Sequence, residues 1–278
     1  MMYKFLVATD IDNTLLVTGK EVSPANKKAV KAVRDAGGAF ALATGRSFFL
    51  IGSYAEELEL DVPCITSNGG ALSDPQRLKE IISFPIDPMT VRDIMLFLME
   101  RKVLFAGYSS QGVFFGPDYG RGSGSKAFFT DYNSRVPNEK KVRLEDMSPE
   151  RIKNGELPEF NKILTVSADE ETRKILRNRD DISCCASTPL FLDLMAPGTS
   201  KGNALLKLAE FLGIPKDMTF ALGDNENDIS MIKAARYGIA MGNATDKTKE
   251  AADHVTCDCA EDGFARAVFD FILPALNL

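Results

Sequence analysis

Short apolar runs alternate with amphipathic stretches through the first third of the chain. The spacing predicts strands over Lys4 to Thr9, Ala39 to Ala43 and Cys64 to Ser67, separated by helices over Pro24 to Asp35 and Ser47 to Leu58. Ser23 before Pro24 offers a side-chain cap and a pre-set φ at the first helical position, and Gly37-Gly38 stops that helix. The alternation returns near the C-terminal end. There Lys201 to Leu212, Ile229 to Ala235 and Asp262 to Leu273 read as helices, and Thr219 to Leu222 and Gly238 to Met241 as strands. Leu205, Leu208, Ala209 and Leu212 share one helical face, and Gly213-Ile214-Pro215 breaks the helix. Strand and helix in strict alternation imply a parallel sheet covered on both faces.

The pattern changes between these stretches. Asp87-Pro88 opens a helix with an apolar stripe of Val91, Ile94, Met95, Leu98 and Met99, followed by hairpin-like runs at Val103 to Ser109 and Val113 to Phe115. A Gly- and Ser-rich segment, Gly120 to Ser125, leads into a further helical stretch. Lys162 to Ser167, Glu170 to Arg179, Ile182 to Ala186 and Leu190 to Met195 then read as strand, helix, strand and strand. The expected architecture is an α/β fold: a doubly wound, mostly parallel, Rossmann-like core from residues 1–85 and 197–278, with an α+β cap inserted at 86–196.

Composition narrows the class without choosing a function. With 278 residues, 45% hydrophobic and 26% charged, the chain is an ordinary globular one, long enough for two domains. Thirty-three basic residues against 39 acidic ones give a net charge of −6, and the basic residues are scattered, so nucleic acid is not an expected partner. Phe5 to Ala8 is too short for a membrane span or a secretory apolar segment, and a cytoplasmic location is expected. Five cysteines without paired C-x-x-C spacing suit reduced thiols rather than zinc. No heptad seam fixes an oligomeric state.

Four segments carry the candidate chemistry, each at or just beyond the carboxyl end of a predicted parallel strand, the edge where open α/β sheets bind ligands. Asp10 and Asp12 are one residue apart after the first strand, a spacing that lets both carboxylates lean to one side, either to bind a divalent cation or to divide labour as nucleophile and acid/base. An Asp-rich turn or helix cap would also account for them. Thr44-Gly45-Arg46 ends the next strand with a hydroxyl, a glycine and a guanidinium, equally a phosphoryl cradle or a capped turn. Lys201 opens a helix, where its charge opposes the helix dipole unless an anion lies near. Asp224-Asn225-Glu226-Asn227-Asp228 is the densest group of oxygen donors in the chain. It is not an EF-hand, which needs Gly and Glu where this chain has Ile229 and Ala235; a Mg²⁺ held by a few carboxylates suits it better.

Taken together and in this order, Asp10-Ile11-Asp12-Asn13-Thr14, Thr44-Gly45-Arg46, Ser67-Asn68-Gly69, Ser200-Lys201-Gly202 and Gly223-Asp224-Asn225-Glu226-Asn227-Asp228 resemble the haloacid dehalogenase superfamily of phosphatases. The resemblance is to its Cof-type branch, whose α/β cap is inserted between the second and third motifs. Asn13 stands where many members have Gly, a change that a turn tolerates. The resemblance implies a Mg²⁺-dependent phosphatase of small phosphorylated metabolites, sugar phosphates foremost, working through an aspartyl-phosphate. It implies Asp10 as nucleophile and Asp12 as general acid and base. It further implies Asp10, Asp12 (through its main-chain carbonyl), Asp224 and Asp228 as the metal site, with Thr44, Gly45, Arg46, Lys201 and Asn227 on the phosphate and substrate.

The cap is expected to select the leaving group, with the Tyr108 to Phe115 hairpin and the Gly120 to Lys126 loop as candidates, although that loop reads first as a flexible connection with no ligand. A phosphomutase or phosphotransferase using the same intermediate is the nearest alternative, and a receiver-type signalling domain a distant one. No G-x-S-x-G, Walker-type or H-E-x-x-H pattern is present, and the sole histidine, His254, reads as a surface strand residue.

Overall fold

A computed structural model describes residues 3–122, 124–188 and 190–277. Met1, Met2 and Leu278 of the expected core and Ser123 of the expected cap loop lie outside the described residues. The chain forms two compact units, one running up to Ile82 and resuming at Ser200, the other Ser83–Thr199.

The first unit begins with β1 (Phe5–Thr9), α1 (Pro24–Asp35) and β2 (Gly38–Leu42). The Ser23 hydroxyl accepts from the Asn26 N–H at 3.1 Å with Pro24 in the first turn, so α1 starts where its cap chemistry requires. The expected helix over Ser47 to Leu58 is broken: a 3₁₀ turn at Phe48–Leu50 is followed by α2 (Gly52–Glu57). The break falls at Ile51, φ −106° and ψ −4°, between the 3₁₀ turn and the helix that Gly52 opens. β3 (Cys64–Thr66) touches β2 through one parallel bridge, Ala43 to Ile65. It belongs to a separate three-stranded sheet with β4 (Ala71–Asp74) and β5 (Lys79–Ser83), which the apolar pattern did not suggest.

The second unit contains α3 (Pro88–Glu100), β6 (Leu104–Ser109), β7 (Gly112–Phe115), α4 (Gly124–Arg135), β8 (Leu144–Asp146), α5 (Pro149–Asn154), β9 (Lys162–Val166), α6 (Glu170–Arg177), β10 (Ser183–Thr188) and β11 (Phe191–Met195). Its mixed sheet has the order β10-β11-β9-β6-β7-β8, antiparallel except where β8 joins β7. Val91, Ile94, Met95 and Leu98 of α3, with Ile152 and Leu176, pack on Phe105, Phe114, Ile163, Leu192 and Leu194, an independent core.

The chain then returns to the first unit with α7 (Lys201–Leu212), β12 (Thr219–Gly223), α8 (Ile229–Ala234), β13 (Tyr237–Ala240), α9 (Asp246–Ala251), β14 (His254–Val255) and α10 (Gly263–Ala267). The expected final helix continues from α10 through a π-helical turn at Val268–Ile272. The main sheet is parallel, in the order β14-β13-β12-β1-β2. Successive side chains take opposite faces: Phe5 and Val7 pack towards Val30, Val33 and Phe264, whereas Leu6 and Ala8 pack towards Leu205, Leu208 and Met231. Burial of both faces is why β1 is an unbroken apolar run. Among the described residues no helix is long and apolar enough to cross a membrane.

Candidate active site

The strand order reverses between β1 and β12, and such a switch point leaves a crevice at the carboxyl ends of the strands. Thr9 lies beside Leu222 in this parallel pair, and the Asp10 N–H continues the ladder to the Leu222 carbonyl at 3.0 Å. Asp10 and Asp224 therefore leave the sheet at one edge although more than two hundred residues separate them.

Lys201 joins them. Its fully buried Nζ donates to Asp10 Oδ1 at 2.7 Å and to Asp228 Oδ1 at 2.6 Å. Two glycines make that reach possible. A Cβ on Gly202 would stand 2.2 Å from the Ser230 carbonyl oxygen, so only glycine lets α7 lie this close to the start of α8. A Cβ on Gly223 would meet the Asp228 Cβ at 2.3 Å. Asp228 is fixed from its other oxygen as well, where Oδ2 accepts the Asp224 and Asn225 N–H groups at 3.0 and 3.1 Å. Asp224 in turn accepts the Thr14 hydroxyl on Oδ1 at 3.0 Å.

Carboxylate oxygens of Asp10, Asp224 and Asp228 lie within 4.8 Å of one another. Burial, the largest influence, pushes the Asp10 carboxyl up to about 7; Lys201 opposes the rise and Asp228 adds to it. Burial and then repulsion from Asp228 raise Asp224 to about 6. For Lys201 burial works against the charge, but the two carboxylates outweigh it and hold its pKa above the usual lysine value. Three carboxylates face one ammonium, an excess of potential negative charge that the raised Asp10 and Asp224 values register, and the donors are all hard oxygens. A divalent, oxygen-seeking cation fits both the charge and the donor set.

Asp12 stands apart from this cluster. Arg46 forks onto it, Nε to Oδ2 at 2.9 Å and Nη2 to Oδ1 at 2.7 Å, and Arg46 Nη1 donates to the Tyr54 hydroxyl at 3.2 Å. Thr44 is buried at the end of β2, its hydroxyl accepting the Arg46 N–H at 3.1 Å. Asn227 Nδ2 donates to Asn68 Oδ1 at 3.1 Å, and the Asn68 N–H donates to the Thr44 carbonyl at 3.0 Å, so Asn68 ties Thr44 to Asn227. Gly45 faces the same amide: a Cβ there would stand 3.0 Å from Asn68 Nδ2. Asn13 takes the left-handed conformation, φ 60°, that its place in the turn requires.

Sequence reasoning had assigned no role to Thr14, Tyr54 or Asn68. The Asn68-Gly69 dipeptide, a turn signal, was the pointer available in the sequence, and Asn68 takes a φ of 55° there. His254 is exposed on the edge strand β14 beside the Phe271 ring, centroids 5.0 Å apart, away from the acidic cluster.

A parallel sheet with acidic residues gathered at its switch point, and an α+β unit inserted in the chain, is the arrangement expected from the motif resemblance. Residues 7–268 match the family model described as haloacid dehalogenase-like hydrolase, and the chain belongs to that family. It is a phosphatase of that superfamily, of the Cof-type branch with a cap. It is 30% identical to the 5-amino-6-(5-phospho-D-ribitylamino)uracil phosphatase YcsE of Bacillus subtilis (strain 168), over 96% of each chain. It is 26% identical to the pyridoxal phosphate phosphatase YbhA of Escherichia coli (strain K12), covering 96% of this chain and 98% of that one. Among solved structures, the subclass IIB sugar phosphatase BT4131 superposes with a TM-score of 0.81 at 25% identity, covering 96% of this chain and 99% of the other. Membership of a hydrolase family removes the receiver-domain alternative.

Proposed function

We propose that this chain hydrolyses phosphate monoesters of small hydroxylated metabolites, sugar phosphates foremost, with Mg²⁺ and an aspartyl-phosphate intermediate. The observation that carries the reading is the convergence of Asp10, Lys201, Asp224 and Asp228 on one buried point. Lys201 occupies Asp10 Oδ1, and among the described residues no protein donor is seen on Oδ2, the oxygen assigned to attack phosphorus in line. Asp12 protonates the departing alkoxide, then takes a proton from the water that hydrolyses the acyl phosphate.

Lys201, Thr44 and Asn227 hold the phosphoryl oxygens, and the glycine at position 45 lets the turn beside them pack against Asn68. Asp10, the Asp12 main-chain carbonyl, Asp224 and Asp228 hold the magnesium. When bound, that ion supplies the positive charge that lets an anionic nucleophile meet an anionic ester. Leaving-group selection is assigned to the inserted unit. The substrate class draws support from the named substrates of the similar phosphatases, all small phosphate esters.

A panel of sugar phosphates, pyridoxal phosphate and nucleotides, assayed for released phosphate with Mg²⁺ or with chelator, tests the reading. Release needs the metal and vanishes in Asp10→Asn, with that variant still folded. Full activity in Asp10→Asn refutes the intermediate. Phosphate passed to a sugar hydroxyl with none released to water identifies a phosphotransferase instead.

A further inference from the structure

Asp12 and Arg46 form more than a surface ion pair. The guanidinium meets the carboxylate with both members of its fork, and exposed pairs seldom show that geometry. Arg46 is itself held from behind: Nη1 donates to the Tyr54 hydroxyl, and the guanidinium carbon lies 5.5 Å from the centroid of the Tyr54 ring. Tyr54 is anchored in turn, being packed against the core cluster that contains Ile51, Ala55 and Leu58. A chain of contacts thus runs from a helix fixed in the core, through two side chains, to the carboxylate assigned the proton transfers.

Counting lone pairs shows what this chain does to Asp12. A carboxylate has four acceptor sites, two on each oxygen. Oδ1 receives Arg46 Nη2 at 2.7 Å and is crowded on its second site by the Thr18 hydroxyl at 3.4 Å, although that hydroxyl lies nearer to Asn13 Oδ1, at 3.2 Å. Among the described residues Oδ2 receives Arg46 Nε alone, at 2.9 Å, and keeps one site open. The planar fork also fixes the plane of the carboxylate and hence the direction of that open site, which a lysine ammonium in place of Arg46 would not do.

We propose that Arg46 and Tyr54 are positioning residues that orient Asp12, leaving Oδ2, the more open oxygen, to take up a proton from solvent and pass it to the leaving-group oxygen as that oxygen's bond to phosphorus breaks. This rests on the functional reading above and deepens it. A misoriented acid slows the departure of a poor leaving group and barely affects a good one.

The test compares kcat/KM, which reports steps up to departure of the leaving group, for p-nitrophenyl phosphate, phenyl phosphate and glucose 6-phosphate with Mg²⁺. Nitrophenolate departs without a proton, whereas the sugar alkoxide needs one. The ratio of kcat/KM for p-nitrophenyl phosphate to that for glucose 6-phosphate is expected to rise roughly tenfold in Tyr54→Phe, which keeps the ring and loses the hydroxyl. It rises further in Arg46→Gln, and Arg46→Lys restores only part of the loss. Phenyl phosphate falls between the other two esters.

A ratio unchanged from the wild type in both Tyr54→Phe and Arg46→Gln, with both variants folded by thermal melt, overturns the inference while leaving the phosphatase reading intact. Both substrates slowed alike means a structural or phosphate-binding role, and also overturns it. Absence of Mg²⁺-stimulated release from all three esters by the wild type fells the functional reading, and this inference with it.

Discussion

Gly69 lies against Ser200 so closely that a β-carbon on Gly69 would stand 2.3 Å from the Ser200 carbonyl oxygen. Ser200 caps α7, its hydroxyl accepting the Asn203 N–H at 3.1 Å, and the next residue is Lys201. The Ser67-Asn68-Gly69 turn is therefore the surface against which the lysine-bearing helix is set. Gly69→Ala must displace that helix and also adopt a φ of +97°. Together these are expected to cost about 2–4 kcal/mol. Urea unfolding measures the loss; a change under 0.5 kcal/mol would mean that α7 is free to move back.

Replacing Lys201 by Met leaves two buried carboxylates without their shared cation. Breaking a buried pair in this way costs about 3–5 kcal/mol, and on the role proposed for Lys201 its loss lowers kcat by about 10²–10³. Mg²⁺ is expected to return part of the stability and little of the rate. A variant as active as the wild type would remove Lys201 from the mechanism.

Thr14 acts on the acidic cluster through Asp224, to which its hydroxyl donates at 3.0 Å. Thr14→Val removes that bond at nearly constant volume and is expected to weaken Mg²⁺ binding about tenfold, with Thr14→Ser recovering most of it. Calorimetric titration with Mg²⁺ reads this directly. Equal affinities in wild type and Thr14→Val would leave Asp224 oriented by other means.

The metal-free protein carries a pH signature of opposite sign to that of ordinary salt-bridged carboxylates. Asp10 titrates at about 7 in the folded protein against an ordinary value of 3.8, so the folded state binds the proton more tightly than the unfolded one. Its contribution is most favourable below pH 4 and declines as the pH rises towards 7; Asp224, at about 6, adds to the trend. Since protons compete with the cation for the same oxygens, the rise in melting temperature on adding Mg²⁺ is small at pH 5 and largest near pH 8. Melts of wild type and Asp10→Asn, with chelator and with Mg²⁺, isolate the effect. A stabilisation by Mg²⁺ that is larger at pH 5 than at pH 8 would contradict it.

The sequence was most informative where one physical requirement dominates. β1 had to be largely apolar because both faces are buried, and α1 had to begin after Ser23 because that hydroxyl caps it. The order of the acidic, hydroxyl and lysine segments pointed to one edge of one sheet, where Asp10, Asp224, Asp228 and Lys201 meet. Periodicity did not separate β4 and β5 from loop, because β5 is half-exposed and β4 has only four residues. Nor could it show Arg46 forked onto Asp12, or Asn68 between Thr44 and Asn227. Those contacts depend on the directions of side chains brought together by distant turns, and residue spacing along a chain carries no such information.

The central pairing of β1 with β12 has a consequence for synthesis on the ribosome. The N-terminal strand leaves the exit tunnel long before its neighbour exists, and at typical elongation rates the delay between Asp10 and Asp228 is on the order of ten to forty seconds. The intervening Ser83–Thr199 unit has its own core and is complete within that interval. A nascent chain stalled before Lys201 would therefore hold Asp10 without the ammonium and the two carboxylates that meet it in the folded chain, so that the acidic cluster is among the last parts of the molecule to be assembled.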